Sequence, residues 1–275
     1  MTTGTGLDNK MIVGTEGSYG SGAATRAIEY ETESLNIEPG TAETRGAARM
    51  FLPSSRFRRF PKSAGGDVNL DFFNQGMGIF LKQMLGAVSG PTRVGETAEY
   101  VQTHTPDTAN GGRGISMVIQ VGKARVGGTV TPFTWHGCKV VSWELSNDVD
   151  NNLKLKLTFD AKPEKDTSTA LVSVSYDADI VPLSFLDASV TINGVSADIQ
   201  QISFTGQKTL AVDRRFLGNT KKEPLMIGEF VIGGTLGKEF EDTDLYDDFV
   251  AGEIGEIVAT WAFGEVEEAG EPFQL

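Results

Sequence analysis

His136 and Cys138 have the most obvious capacity for chemistry, because a thiol beside an imidazole is the pair that nucleophilic catalysis uses. Two positions apart on a predicted strand, they share a face, and their spacing implies no third group that would orient the imidazole. We therefore interpret them as core or interface residues. The chain has two histidines and one cysteine, which nearly excludes an ordinary zinc site. We predict no catalytic residue, no metal site, no cofactor and no enzymatic activity.

Three further segments begin like ligand-binding motifs but lack a required residue. Residues 148–153 and 242–247 start like calcium loops, yet leucine and aspartate stand where the loop needs glycine. The glycine-rich segment 14–20 lacks the preceding strand and the Lys-Ser/Thr pair of a phosphate loop. We interpret these segments as a turn, a helix start and part of a flexible arm.

The composition excludes several classes of protein. The 275 residues carry a formal net charge of −13, so phosphate polymers and anionic membranes repel the chain and specific nucleic-acid or membrane binding is not expected. A single cysteine allows no intrachain disulfide. The first ten residues have neither the basic nor the apolar region of a signal peptide. No apolar run approaches the roughly 20 residues of a membrane span.

Hydrophobic periodicity predicts a mainly β chain with two short helices. The clearest strand is 153–160, where leucines alternate with polar residues, and it forms a predicted hairpin with 137–146. Met and Phe at helical spacing predict a helix over 75–85, with Asn74 as N-cap and Gly86 at its end. Other predicted elements are strands 26–37, 99–105, 115–121, 188–192, 199–205, 228–232 and 256–263, an irregular connection over 41–65, and a helix over 243–250 followed by Gly252.

These elements divide the chain into three predicted parts. Residues 1–25 are expected to be an extended N-terminal arm without a core. Residues 26–165 form a β domain, and 170–275 form a second, shorter β domain behind the polar segment 161–169. Similar landmarks recur in both halves in one order (strand, long loop, strand, helix, glycine). The shorter domain is therefore either an internal duplicate or an unrelated unit.

The segment from Glu43 to Lys62 is strongly positive in an otherwise acidic chain. It carries a net charge of +5 with phenylalanines interleaved, whereas residues 237–275 carry twelve acids and one lysine, a net −11. Arginine with phenylalanine can stack on nucleic-acid bases, or it can form a protein interface. We favour self-association between copies, because positive and negative surfaces occur on one chain. The basic residues concerned are Arg45, Arg49, Arg56, Arg58, Arg59 and Lys62.

Glu29, Glu31 and Glu33 form a second charged feature. On one strand they fall on the same face, about 6.7 Å apart. Three interpretations are open: the glutamates pair across strands with Lys154 and Lys156, they lie on a solvent-exposed face of the sheet, or they line a negatively charged channel.

Several blocks of the sequence together resemble the major tail tube proteins of long-tailed (siphovirus-type) bacteriophages. The resemblance covers about residues 11–265. It is carried by the segments 11–20, 31–35, 65–70 with the helix that runs to Gly86, 136–145, and 153–159.

This resemblance implies an antiparallel β-sandwich or half-barrel with a flanking helix. Six such domains close into a ring with an inner β-barrel, and rings stack into a tube through which DNA passes. A ring would contain three chains if the domain is duplicated, or six if it is not. Glu29, Glu31 and Glu33 would then line the lumen, and the segment 41–65 would reach the adjacent ring.

The resemblance also implies a place and partners for the protein. The expected location is the virion tail, assembled in the host cytoplasm. The expected partners are other copies, the tape measure and terminator proteins, and DNA only in passage. The alternative is an adhesin-like or lectin-like β-sandwich binding module, which needs exposed aromatic residues at loop tips.

Overall fold

The computed structural model describes residues 9–43, 57–96, 100–107, 115–163, 165–166, 169–218, 221–240, 243–265 and 272–274. The fold is mainly β, and all of the strand pairs are antiparallel, as the sequence predicts.

The strands up to the middle of the chain are β1 (Lys10–Ser18), β2 (Ser21–Gly22), β3 (Arg26–Ile28), β4 (Thr32–Glu33), β5 (Asn36–Glu43), β6 (Phe57–Asp71), β7 (Gly86–Arg93), β8 (Tyr100–Pro106), β9 (Met117–Ala124), β10 (Val130–Asp148), β11 (Lys154–Ala161) and β12 (Lys165–Asp166). The strands that follow are β13 (Ala188–Ile192), β14 (Val195–Ser196), β15 (Ile199–Leu210), β16 (Met226–Lys238), β17 (Ile257–Glu265) and β18 (Pro272–Gln274). Helix α1 is Gly78–Leu85 and helix α2 is Asp244–Ala251, and a short 3₁₀ turn covers Phe185–Asp187.

Twelve strands form one connected sheet that the long strand β10 divides into two layers. Sheet I contains β3, β1, β9, the first half of β10 and β12. Sheet II has the order β16, β15, second half of β10, β11, β6, with β4 and β5 on the far side of β6. The register of β10 shifts between Trp135 and Cys138, and Gly137 has a φ of +63° there. A β-bulge with a positive-φ glycine bends a strand, so β10 can serve both layers.

The core lies between these two layers. Period-2 alternation turns one face of each strand inward, including Leu155 and Leu157 on β11, Val68 and Leu70 on β6, and Met11 on β1, all fully buried. Strand β9 adds Ile119 and Val121, and α1 adds Phe80 and Met84 to the same cluster. Full burial of each large side chain contributes about 1.5–3 kcal/mol.

The helix predicted over 75–85 is confirmed for its last eight residues but begins later than expected. Gly76 has a φ of +85°, which is incompatible with a helix, and the N-cap is Met77. The side chain of Asn74 accepts a hydrogen bond from Val181 N at 3.0 Å, so Asn74 is not the predicted cap. Gly86, with a φ of +105°, ends α1 as predicted.

Other predicted elements are confirmed. The hairpin of β10 and β11 pairs from Lys139↔Asp160 to Ser146↔Lys154. The turn between β13 and β14 has positive φ at Asn193 and Gly194, as an Asn-Gly hairpin turn requires. Helix α2 begins after Thr243 and ends at Gly252 in the left-handed conformation.

Three predictions for the first third of the chain are wrong. The strand expected over 26–37 is three strands, because the chain leaves sheet I after β3 and enters sheet II at β4. In the segment 41–65, the described residues 41–43 and 57–65 are not irregular: they belong to β5 and β6, which pair from Asn36↔Gly65 to Glu43↔Phe57. Within the expected N-terminal arm, residues 10–18 form β1, where Met11, Ile12 and Val13 are fully buried.

The second half of the chain contributes to both a shared and a separate sheet. Strands β15 and β16 extend sheet II beyond β10, whereas β14, β13, β17 and β18 form a four-stranded sheet. Two ion pairs join the connection between β15 and β16 to the first half: the buried pair of Lys221 with Asp160, and the partly buried pair of Lys139 with Glu223 at 2.6 Å. Two paired strands followed by an eight-residue helix occur twice in the chain, as β5, β6 and α1 and as β15, β16 and α2.

Candidate assembly surfaces

The His136–Cys138 pair lies at the bend of β10, not in a catalytic arrangement. Cys138 is fully buried, its thiol contacts the Trp135 carbonyl at 3.4 Å, and burial raises its pKa well above the ordinary value. A buried neutral thiol is a poor nucleophile. Among the residues that the structure describes, no group of three His, Cys, Asp or Glu side chains could hold a metal ion.

A buried carboxylate supports the same bend. Glu16 accepts hydrogen bonds from Gly20 N at 2.9 Å, Ser116 Oγ at 2.7 Å and Gly137 N at 2.9 Å. His136 Nδ1 lies 3.4 Å from Glu16 Oε1. Burial alone would raise the pKa of Glu16, but the contact with His136 and these hydrogen bonds outweigh it and lower the pKa. The sequence does not single out Glu16, because a lone glutamate among glycines has no distinguishing pattern.

The outward face of sheet II is polar over four strands, and we call it the polar face. Its registered rows run across the sheet, as in Glu144 opposite Lys156 and Lys156 opposite Asn69. A shallow depression on this face is lined by residues that include Ser142 and Thr205. The polar face consists of Asp67, Asn69, Asp71, Ser142, Glu144, Ser146, Lys154, Lys156, Thr158, Ser203, Thr205 and Gln207.

The three glutamates of the predicted row do not share one strand. Glu31 forms an ion pair with Lys154 at the rim of the polar face. Lys154 is one of the two lysines that were predicted to pair with the glutamates. Glu33 instead pairs with Lys123 of sheet I at 2.5 Å, and only 9% of its side chain is exposed. Glu29 is exposed in the connection between β3 and β4. The single-strand geometry assumed for the row is therefore wrong, since the chain changes layer within it.

The described part of the positive segment lies on the paired strands β5 and β6, and we call this pair the basic ribbon. Arg58, Arg59 and Lys62 are exposed on β6, and Phe60 is 41% exposed between them. Lys62 pairs with Glu38 on β5 at 3.0 Å. The other three predicted contact residues, Arg45, Arg49 and Arg56, lie outside the described residues.

Strand β16 is an open edge of sheet II. It pairs with β15 along one side, and the described chain places no strand on its other side. Ile227, Val231 and Ile232 on it are 70%, 56% and 46% exposed. A long apolar edge strand is a template for pairing with another chain.

The tryptophans do not form a binding surface. Trp135, Trp143 and Trp261 are 2%, 7% and 2% exposed, and the indole N–H of Trp261 donates to Asn147 Oδ1 at 2.9 Å. They belong to the core and not to loop tips, which removes one feature that an adhesin-like module would need. None of the helices that the structure describes has the length and apolar character needed to cross a membrane.

Comparison with known families agrees with the fold. A family model described as phage tail tube protein matches residues 6–270, nearly the whole chain. The chain therefore belongs to the phage tail tube protein family and is a structural protein of the phage tail. A search of curated proteins finds no match for this chain.

Proposed function

We propose that this protein is the subunit of a tail tube whose stacked rings form the channel for DNA ejection. The family match supports tail tube function, and the open edge of β16 carries the argument for a ring. This strand has 13 residues, and the neighbouring Val231 and Ile232 place exposed apolar side chains on both of its faces. Pairing of β16 with a strand of the neighbouring copy would satisfy these backbone groups, and a closed ring leaves no edge.

The polar face of sheet II is our candidate for the lumen wall. It carries Asp67, Asp71 and Glu144 against Lys154 and Lys156, and Glu31 adds a further carboxylate beside Lys154. A wall with more carboxylates than cations repels phosphates, so DNA would slide along it without binding. We retain Glu29, Glu31 and Glu33 as proposed lumen residues, with Glu31 supported best because it borders this face.

The basic ribbon is our candidate for the contact between rings. Its exposed arginines need an acidic partner, and the C-terminal part of the chain supplies many carboxylates. Arg45, Arg49, Arg56, Arg58, Arg59 and Lys62 are the proposed contact residues. Opposite charges on different patches of one chain favour head-to-tail association.

The number of chains in a ring follows from whether residues 170–275 are a second tube domain. A duplicated unit gives a ring of three chains, and a single unit gives a ring of six with residues 170–275 outside. We propose tape measure and terminator proteins as further partners, the virion tail as location and the host cytoplasm as the place of assembly. We propose no cofactor and no enzymatic activity.

Sedimentation velocity over a range of protein concentrations tests the proposal. We expect a discrete ring species and larger stacks that grow with concentration. A single monomer peak at all concentrations and salt conditions would contradict ring formation. A single ring species that never grows would retain the ring and remove the stacking proposal.

A further inference from the structure

Helix α2 buries none of its side chains against the rest of the described chain. None of its eight residues is buried, and four large apolar side chains on it are exposed: Leu245 by 42%, Tyr246 by 63%, Phe249 by 81% and Val250 by 66%. The described contacts that hold it are polar, such as that of Asn193 Nδ2 with Asp248 Oδ2 at 3.3 Å. Ile254, just beyond it, is 98% exposed.

Such a helix needs a partner surface. An isolated helix of this length is unstable in water, because helical stability in proteins comes mainly from the packing of an apolar face. Contiguous exposed apolar residues mark a surface that another molecule covers. The assembled protein is therefore expected to cover α2.

Charge restricts what can cover this helix. Asp247 and Asp248 lie on α2 beside the apolar residues, and Glu253 and Glu256 follow within one short stretch. A neutral or acidic apolar surface would bury these carboxylates without a cation to balance their charge, which is costly. The occupant must therefore combine apolar groups with cations.

The basic ribbon has this combination. Arg58 and Phe60 alternate along β6 and therefore share one face. A Cβ at Gly40 would contact both the Phe60 ring and Lys62 Cβ, so Lys62 lies beside Phe60. Arg59 is exposed on the other face. Arg58 and Arg59 form no ion pair with any residue that the structure describes, so their guanidinium groups are available. Arginine and aromatic residues are the types enriched at protein interfaces.

We propose that α2 of one copy is the docking surface for the basic ribbon of a copy in the adjacent ring. This inference rests on the proposed tube function, and it assigns the ring-to-ring contact to two specific elements. Phe60 would pack among Tyr246, Phe249 and Val250. Arg58, on the same face of the ribbon as Phe60, would pair with Asp247 or Asp248.

Cross-linking between two distinguishable variants tests the contact. One variant carries Ala42→Cys, an exposed position of β5 opposite Arg58, which keeps every cation of the ribbon. The other carries a mass tag and Ala251→Cys, an exposed position at the end of α2 that leaves the proposed contact residues unchanged. The native thiol of Cys138 is fully buried, so a short bismaleimide should react with the introduced cysteines. In assembled mixtures we expect a tagged–untagged product. Val126→Cys, at an 85% exposed position outside both surfaces, replaces Ala251→Cys in the matched control and should give no such product.

A substitution provides an independent readout. Phe249→Ser should leave the monomer folded, since the side chain is exposed, and should prevent tubes while single rings persist. Val126→Ser should form tubes normally. Normal tubes from Phe249→Ser, or the absence of the mixed product in tubes, overturns the docking proposal and leaves the tube function intact. If the unmodified protein forms neither rings nor tubes, the tube function fails and the docking proposal fails with it.

Discussion

Glu16 Oε1 accepts a hydrogen bond of 2.9 Å from the backbone N–H of Gly137, at the bend where β10 passes from sheet I to sheet II. A Cβ at Gly137 would lie 2.6 Å from the ring of Tyr19, and its φ of +63° favours glycine. The two layers of the fold thus depend on a glycine that permits the bend and a buried carboxylate that holds it.

Replacing Glu16 with Gln should destabilise the protein. The neutral amide keeps the shape of the side chain but weakens the hydrogen bonds from Gly20, Ser116 and Gly137. Because bonds to a charged group contribute about 1.5–3 kcal/mol each, a total loss of about 3 kcal/mol is expected. Urea unfolding at neutral pH measures it, and Glu29→Gln, at an exposed position, is the control. Equal stability of the Glu16→Gln variant and the parent would contradict this role.

The same carboxylate predicts a pH dependence. The pKa of Glu16 in the folded protein is lowered from the ordinary value of 4.5, because its hydrogen bonds and the contact with His136 outweigh burial. The stabilisation is therefore fully present above 4.5 and is lost as the pH falls through the folded pKa. The stability gap between the parent and the Glu16→Gln variant should close in acid; a constant gap would show that the charge contributes nothing.

Lys208 predicts a second pH dependence, of the same sign but at alkaline pH. Its ammonium donates to the Gln83 carbonyl in the last turn of α1 at 2.6 Å. Burial, with a smaller effect of Lys139, lowers its pKa from 10.5 to about 8. Between these values the unfolded state binds more protons, so the free energy of unfolding should rise with pH. We expect this rise to be larger in the parent than in Lys208→Met, measured by denaturation across that range. Parallel pH profiles would contradict the lowered pKa.

Reversing the charge of the basic ribbon should block stacking. In a variant with Arg56, Arg58 and Arg59 changed to Glu, repulsion replaces attraction to the acidic surface of the next ring. The fold should persist, because the two described arginines are exposed. Electron microscopy should show rings without tubes, and circular dichroism should match the parent. Arg125→Glu, an exposed change elsewhere, should leave tubes intact. Tubes of normal length from the triple variant would show that the ribbon is not the contact.

Reversing charge on the polar face should make assembled tubes retain DNA. Glu31→Lys with Glu144→Lys turns a phosphate-repelling wall into a phosphate-binding one. We expect DNA to co-sediment with these tubes at low salt and to be released at high salt, since phosphate contacts weaken as salt rises. Tubes of the parent and of Asp198→Lys, at an exposed position away from the face, should not retain it. Equal retention of DNA by tubes of the double variant, the parent and Asp198→Lys would place the polar face outside the lumen.

Local patterns in the sequence predict the elements whose periodicity is strong. The alternation of β11 and the glycine ends of α1 and α2 depend on residues close in sequence, so they could be predicted. The split of residues 26–37 could not, because the passage from one layer to the other depends on distant partners in β1 and β6. The bend at Gly137 could not be predicted either, because a glycine within a strand does not by itself show that the strand changes from one layer to the other.

The candidate surfaces, like the strands and helices, could be predicted only in part from the sequence. The pairing of Glu31 with Lys154 follows from charge and strand order, but that of Glu33 with Lys123 requires knowledge of how the layers meet. The sequence does not predict the strands of the ribbon, because they lack alternating apolar and polar residues. Both of their faces are largely exposed, so no buried side has to be apolar. The polar face spans both halves of the chain, and no single segment of sequence contains it.

Negative-stain electron microscopy of the concentrated protein tests the central claim most directly. The account predicts rings with a uniform central bore, and tubes built from stacks of them. A solitary particle without a bore at every concentration and salt condition would contradict it, because the edge of β16 would then have no partner.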